Sequence, residues 1–258
     1  MHRINISLNK LSSDLISEKK IEKGREYFEV KKGVKILHKY NDQEEYTLIY
    51  FKDIMDKDNY QIIEDLFIEE LKKYLKLESD DKILVIGLGN EKSTPDSLGP
   101  KVVDQILVTR YLFLLGEVEE GYHNVCSFKP NVMGNTGIDS YSIIKNMIDS
   151  TNVNKVIMID ALKTNHYENL VKTIQISNTG ITPGSGLGNY QQEISKNTIQ
   201  KDIIVIGVPT VIDISSMIKD QDNYIVTPTN IDFLIDRLSI LLGNGINKTL
   251  HKNFLSTK

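Results

Sequence analysis

Between Lys82 and Pro100 an apolar run, a glycine-broken loop and a helix start follow one another without a gap. Ile83-Leu84-Val85-Ile86 is short and rich in β-branched residues, which suits a parallel strand covered on both faces. Gly87 and Gly89 allow backbone angles and close approaches that a Cβ forbids. Beyond the loop, Val102, Val103, Ile106 and Leu107 recur at helical spacing, and Pro100 suits a first helical turn. Open α/β sheets place their sites at such a crossing, at the carboxyl end of a strand. Asp96 is the one ionised group in the Thr94–Leu98 segment of that crossing.

A second apolar run, Val156 to Ile159, also ends in an aspartate, Asp160. Ile203 to Gly207 reads as another buried strand, and Asn124 to Phe128 and Val171 to Ser177 as shorter ones. Helical periodicity appears over Asp58–Leu77 and Ile138–Ile148, and again after Thr227-Pro228, where Ile231, Leu234, Ile235, Leu238, Leu241 and Leu242 form one stripe. Thr227 is the expected N-cap of that last helix, and Gly243 to Gly245 its expected end. Strands alternating with helices make this a wound α/β fold.

Upstream, Tyr27 to Val30, Val34 to Leu37 and Tyr46 to Phe51 are expected strands, with turns at Lys32-Gly33 and Asn41-Asp42. The first twenty-odd residues are polar and read as an arm. Residues 1–80 are therefore an N-terminal arm with a small α+β region, and residues 81–258 the α/β core.

Composition narrows the partners. The chain has 258 residues, 40% hydrophobic and 26% charged, with a net charge of −4, so no general attraction to nucleic acid or to an anionic membrane is expected. The single cysteine, Cys126, excludes an intrachain disulfide and fits a reducing cytoplasm. No apolar run reaches the length of a membrane span, and the N-terminus lacks a signal-peptide apolar segment.

Asp96 and Asp160 each follow an apolar strand, so both are expected over one sheet edge, about 4–8 Å apart. Two carboxylates that close share a proton, so one serves as base and the other as acid; the pair activates water against an amide or holds a metal. Capping of a loop or helix is the plainer reading of either aspartate alone. Asp139 and Asp213 are read in that plainer way, near helix starts. Gly87-x-Gly89 has no third glycine at dinucleotide spacing, and no Gly-Lys-Ser/Thr occurs, which weakens a nucleotide reading. A phosphate held by loop N–H groups stays open, although acids at the loop mouth repel it. The five histidines have no metal-ligand spacing, Cys126 has no partner motif, and Ser185 lies outside a Gly-x-Ser-x-Gly elbow. No cofactor and no metal are expected.

Several motifs together resemble the spore germination proteases of spore-forming bacteria. They are Val85 to Asn90, Thr94 to Pro100, Val108 to Arg110, Val132 to Ile138 and Ile159 to Leu162. The likeness continues through Thr173 to Ser177, Thr179 to Ile181, Pro183 to Asn189, Ile206 to Val211 and Val226 to Pro228. It closes at Ile231-Asp232, Gly245 to Asn247 and Leu250-His251, and so covers most of residues 82–251 in order.

The resemblance implies a three-layer α/β sandwich with a mainly parallel mixed sheet, similar to the hydrogenase maturation endopeptidases. It implies an atypical aspartic-type endopeptidase that degrades small acid-soluble spore proteins during germination. It further implies a cytoplasmic, homo-oligomeric protein of the forespore or spore core, made as a zymogen. Asp96 and Asp160 fall on the family's catalytic aspartates. Gly87, Gly89, Asn90, Thr182, Gly184, Ser185 and Gly186 fall on the loops expected to hold substrate and oxyanion. The family has histidine where this chain has Thr182, and a long insertion where residues 212–225 are short. A silent paralogue that binds a spore protein or peptide is the alternative.

Overall fold

The computed structural model describes residues 24–184, 192–214 and 224–254. Three strands open the described chain: β1 (Arg25–Lys31), β2 (Val34–Tyr40) and β3 (Glu45–Tyr50). Lys32 and Gly33 link the first two with φ of 50° and 80°, the left-handed pair that a two-residue hairpin needs. Helix α1 (Lys57–Leu75) follows, capped by Asp56, whose carboxylate accepts from Asn59 N.

The core then alternates strand and helix. β4 (Lys82–Gly87) leads through a 3-10 turn at Thr94–Asp96 into α2 (Leu98–Val103) and α3 (Arg110–Leu115). β5 (Asn124–Phe128), α4 (Met133–Thr136), α5 (Ser140–Thr151), β6 (Lys155–Thr164) and β7 (Thr173–Ser177) come next. The described chain ends with α6 (Lys196–Ile199), β8 (Asp202–Asp213), β9 (Ile225–Val226) and α7 (Ile231–Leu250).

Among the described residues the strands form one mixed sheet in the order β1-β2-β3-β7-β8-β6-β4-β5, with β9 against β8. β5, β4, β6 and β8 run parallel, while β7, β3, β2 and β1 extend that core antiparallel. The parallel strands are apolar on both faces because helices cover both. Ile83, Val85, Ile157, Ile159, Ile204 and Ile206 pack with α1, α2 and α7. Leu84, Ile86, Val156, Met158, Ile203 and Val205 pack on the other face with Ile144 and Ile148 of α5. The result is three layers: helices, sheet, helices.

Several local expectations change. Thr227 does not cap α7; its hydroxyl donates to Thr210 O at 2.7 Å, and the helix starts four residues later. Gly243 and Gly245 do not end that helix either. A Cβ on Gly243 would come within 2.4 Å of Gln105 Cβ, and one on Gly245 within 2.5 Å of the Phe67 ring. Both glycines are there for close packing inside a helix that continues to Leu250.

α2 is shorter than the periodicity suggests because Asn247 captures the chain after it. Its amide donates to Gln105 O at 2.7 Å and its carbonyl accepts from Leu107 N at 2.9 Å. Gly134 to Gly137 is mostly a helical turn, α4, closed by Gly137 at φ 71°. Asp139 does cap α5, accepting from Ser142 N at 2.8 Å. Asp213 closes β8 and pairs with Lys163 at 3.2 Å, and residues 215–223 beyond it lie outside the described residues.

Candidate active site

Glycines seat the Asp96 turn on the strand ends. Gly89 has φ +111°, and a Cβ there would lie 2.1 Å from Asp96 O and 3.0 Å from Asp96 Oδ1. Gly87 and Gly99 face each other as closely: a Cβ on Gly87 would lie 2.3 Å from Gly99 O. A Cβ on Gly99 would in turn lie 2.2 Å from Leu88 O and 2.5 Å from Ile159 O. The loop thus rests directly on β4 and on the residue before Asp160, an approach that side chains at these positions would block. Backbone bonds fix it: Asn90 N donates to Asp96 O at 3.0 Å, Asp96 N to Ser93 O at 2.8 Å, and Leu88 N to Ile159 O at 2.8 Å.

Asp160 arrives from the neighbouring strand. In the parallel register Ile159 stands opposite Gly87, so Asp160 is the next residue outward, with Gly207 of β8 on its other side. Asp160 is buried, and its Oδ1 accepts from Ala161 N at 2.9 Å. The chain therefore sets the Asp96 turn beside Asp160, which lies within β6 and not at its end, since that strand runs on to Thr164.

Both line a single cavity of ≈ 510 Å³. Gly89, Asn90 and Gly184 share its wall, whereas Gly87 and Thr182 are not among its lining residues. Ser185 and Gly186 lie outside the described residues. Gly184 is delivered by an antiparallel bridge between Ile181 and Ile194, which exchange both backbone bonds at 2.8 Å. Asn90 Oδ1 accepts from Lys92 N and from Asn135 Nδ2, both at 3.0 Å, so this oxygen braces the loop.

The cavity wall also holds Met133, Thr210 and Thr227, which lie in the resembling motifs without an assigned site role, and Lys163, which lies in none of them. Lys163 is the chemically telling one. It sits three residues past Asp160 on β6, beyond a register shift at Leu162/Lys163, and its ammonium is held by Asp213. The signal for it lay in pairing between strands. The cavity thus combines two carboxylates, an anchored cation and a glycine loop. Such a set can bind an extended polar chain, move a proton and stabilise negative charge.

The germination protease family model matches residues 20–226. Among curated proteins, a germination protease of Geobacillus sp. is 44% identical over 171 residues, covering 64% of this chain and 46% of that protein. A germination protease of Bacillus subtilis is 44% identical over 176 residues, covering 66% and 48%. One from Clostridium acetobutylicum is 37% identical over 244 residues, covering 76% and 75%. The chain spans about half the length of the Geobacillus and Bacillus proteins that it matches. A solved [NiFe] hydrogenase maturation protease, HycI from Thermococcus kodakarensis, is similar over 69% of this chain and 98% of its own, with a TM-score of 0.41 and 15% identity.

Proposed function

This chain belongs to the germination protease family, and from that premise we propose that it is an endopeptidase whose water-activating groups are Asp96 and Asp160. The observation that carries the proposal is that both carboxylates line one cavity, Asp160 from within β6 and Asp96 from the turn after the neighbouring β4. In this reading the pair shares one proton. The ionised carboxylate takes a proton from water as the water oxygen attacks the scissile carbonyl carbon. The protonated partner then donates to the amide nitrogen as the C–N bond breaks, and the shared proton is restored. The Gly184 N–H, on the cavity wall, steadies the oxyanion.

Small acid-soluble spore proteins are the proposed substrates, and the spore core the proposed location, with the protein working there as a homo-oligomer. No helix among the described residues is long and apolar enough to cross a membrane. Zymogen processing belongs to the same reading, with cleavage ahead of β1, in a segment that lies outside the described residues. The replacement of histidine by Thr182 supports a second reading, a silent paralogue that binds such a protein. Against it, Thr182 does not line the cavity, so the exchange leaves both carboxylates in the wall.

The deciding experiment incubates purified protein with a small acid-soluble spore protein beside the Asp160→Asn variant. Cleavage by wild type and none by the variant is the expected result. Binding without cleavage by wild type establishes the second reading instead. Cleavage of equal rate in both overturns the assignment.

A further inference from the structure

Far from the aspartates, at the opposite end of the sheet order, Glu29 of β1, His38 of β2 and Glu70 of α1 converge. One ligand atom from each lies within 4.8 Å of the other two. We propose that these three residues form a binding site for one divalent first-row transition ion, such as Zn²⁺ or Mn²⁺. This ion would clamp the β1–β2 hairpin to α1.

Three observations carry it. First, Glu70 is 0% exposed, and its Oε2 has no hydrogen-bond partner among the described residues. A fully buried carboxylate oxygen left unpartnered is costly, and a cation removes that cost. Lys73, at 2.7 Å, and Lys31, at 3.6 Å, both approach the other oxygen, Oε1.

Second, His38 is set up as a ligand. Its Nδ1 lies 3.2 Å from Thr47 Oγ1, which lies 2.9 Å from Tyr74 OH, and the Tyr27 ring stacks on the imidazole at 4.6 Å. When Nδ1–H donates to Thr47, Nε2 presents a lone pair to Glu29 Oε1 at 2.9 Å. Two acceptors that close need a positive centre between them. A proton on Nε2 satisfies Glu29 and leaves Glu70 Oε2 orphaned; a metal ion engages all three. Outer partners that fix the ring nitrogen opposite the metal are a recurring part of histidine sites.

Third, the donor set suits the ion. One imidazole and two carboxylates match borderline to hard divalent metals, and three protein ligands leave room for water. Lys31 is closest to Glu69 and farther from Glu29, at 3.4 Å, so it keeps a partner when an ion takes the inner carboxylates. The pattern was invisible in sequence because the ligands come from three elements, and Glu70 lies 32 residues beyond His38.

Titration of the full chain, stripped by chelator, with Zn²⁺ at neutral pH tests the site, with Co²⁺ as spectroscopic probe. One equivalent should bind, and Co²⁺ should show the ligand-field bands of a nitrogen-containing low-symmetry site. His38→Gln and Glu70→Gln should each weaken binding by about 100-fold or more and abolish those bands. Glu29→Gln, on the partly exposed edge strand, should fold normally and weaken binding about 10-fold or more, so the test survives a folding failure of a buried variant. Asp160→Asn should bind as wild type does. Absence of a stoichiometric wild-type complex overturns the proposal. So does unchanged affinity in Glu29→Gln, or an ion lost with Asp160→Asn and kept in His38→Gln.

Discussion

The amide of Asn90 donates to the carbonyl of Asp96 at 3.0 Å, closing a turn in which Gly89 stands at φ +111° with no space for a Cβ. The position of the carboxylate thus depends on the absence of a side chain seven residues earlier. Gly89→Ala should strain the backbone and push Asp96 off the strand ends. The expected cost is about 1–3 kcal/mol of stability. Peptide cleavage, if it follows the proposed mechanism, should fall by about 100-fold or more. Denaturant unfolding and turnover, measured together, check this; a variant with wild-type values for both would refute the role given to Gly89.

Asp96→Asn and Asp160→Asn remove a charge at a loop mouth and no core volume. Folding should persist, with melting points within a few degrees of wild type, while cleavage drops by about 10²–10⁴-fold. Cys126→Ala and His123→Ala should keep turnover near normal. Near-normal turnover in either aspartate variant would end the paired-carboxylate mechanism.

Asn247 holds the chain after α2 through two side-chain bonds while buried at 1% exposure. Asn247→Leu leaves Gln105 O and Leu107 N without that partner. The expected loss is about 2–4 kcal/mol, read as a shift of the denaturant midpoint at constant slope. An unshifted midpoint would mean that water replaces the amide at no cost.

His251 supplies a pH dependence. It is buried, with Nε2 at 3.3 Å from Leu107 O and Nδ1 accepting from His123 N at 3.4 Å. Burial pulls its pKa down to about 4. The unfolded chain binds this proton near its ordinary pKa of about 6.5, the folded chain only near the lower value. The contribution is therefore fully present above the unfolded pKa and is lost as pH falls through that window. After allowance for screening it is on the order of 1–2 kcal/mol. Urea midpoints of wild type and His251→Gln, compared on both sides of the window, should converge toward the acid side. Parallel curves would assign the acid sensitivity to other groups.

Much of the candidate site was legible before any coordinates. Apolar β-branched runs can be buried on both faces only inside a covered sheet, so β4 and β6 followed from local pattern alone, although β6 runs past Asp160 to Thr164 because β8 continues beside it. The glycines beside Asp96 announced a close approach, and Asp139 announced a helix start. These are short-range effects, carried by the residues themselves and their immediate neighbours. Gly243 and Gly245 read locally as a helix end, but Gln105 and Phe67 pack so tightly against them that the helix continues. β8 runs on past Gly207 and through Pro209 because β6 offers it a partner across a register shift. Lys163 enters the cavity wall and Glu70 meets His38 for the same reason. A long-range partner supplies an energy that local propensity does not contain, and only the folded chain brings that partner within reach.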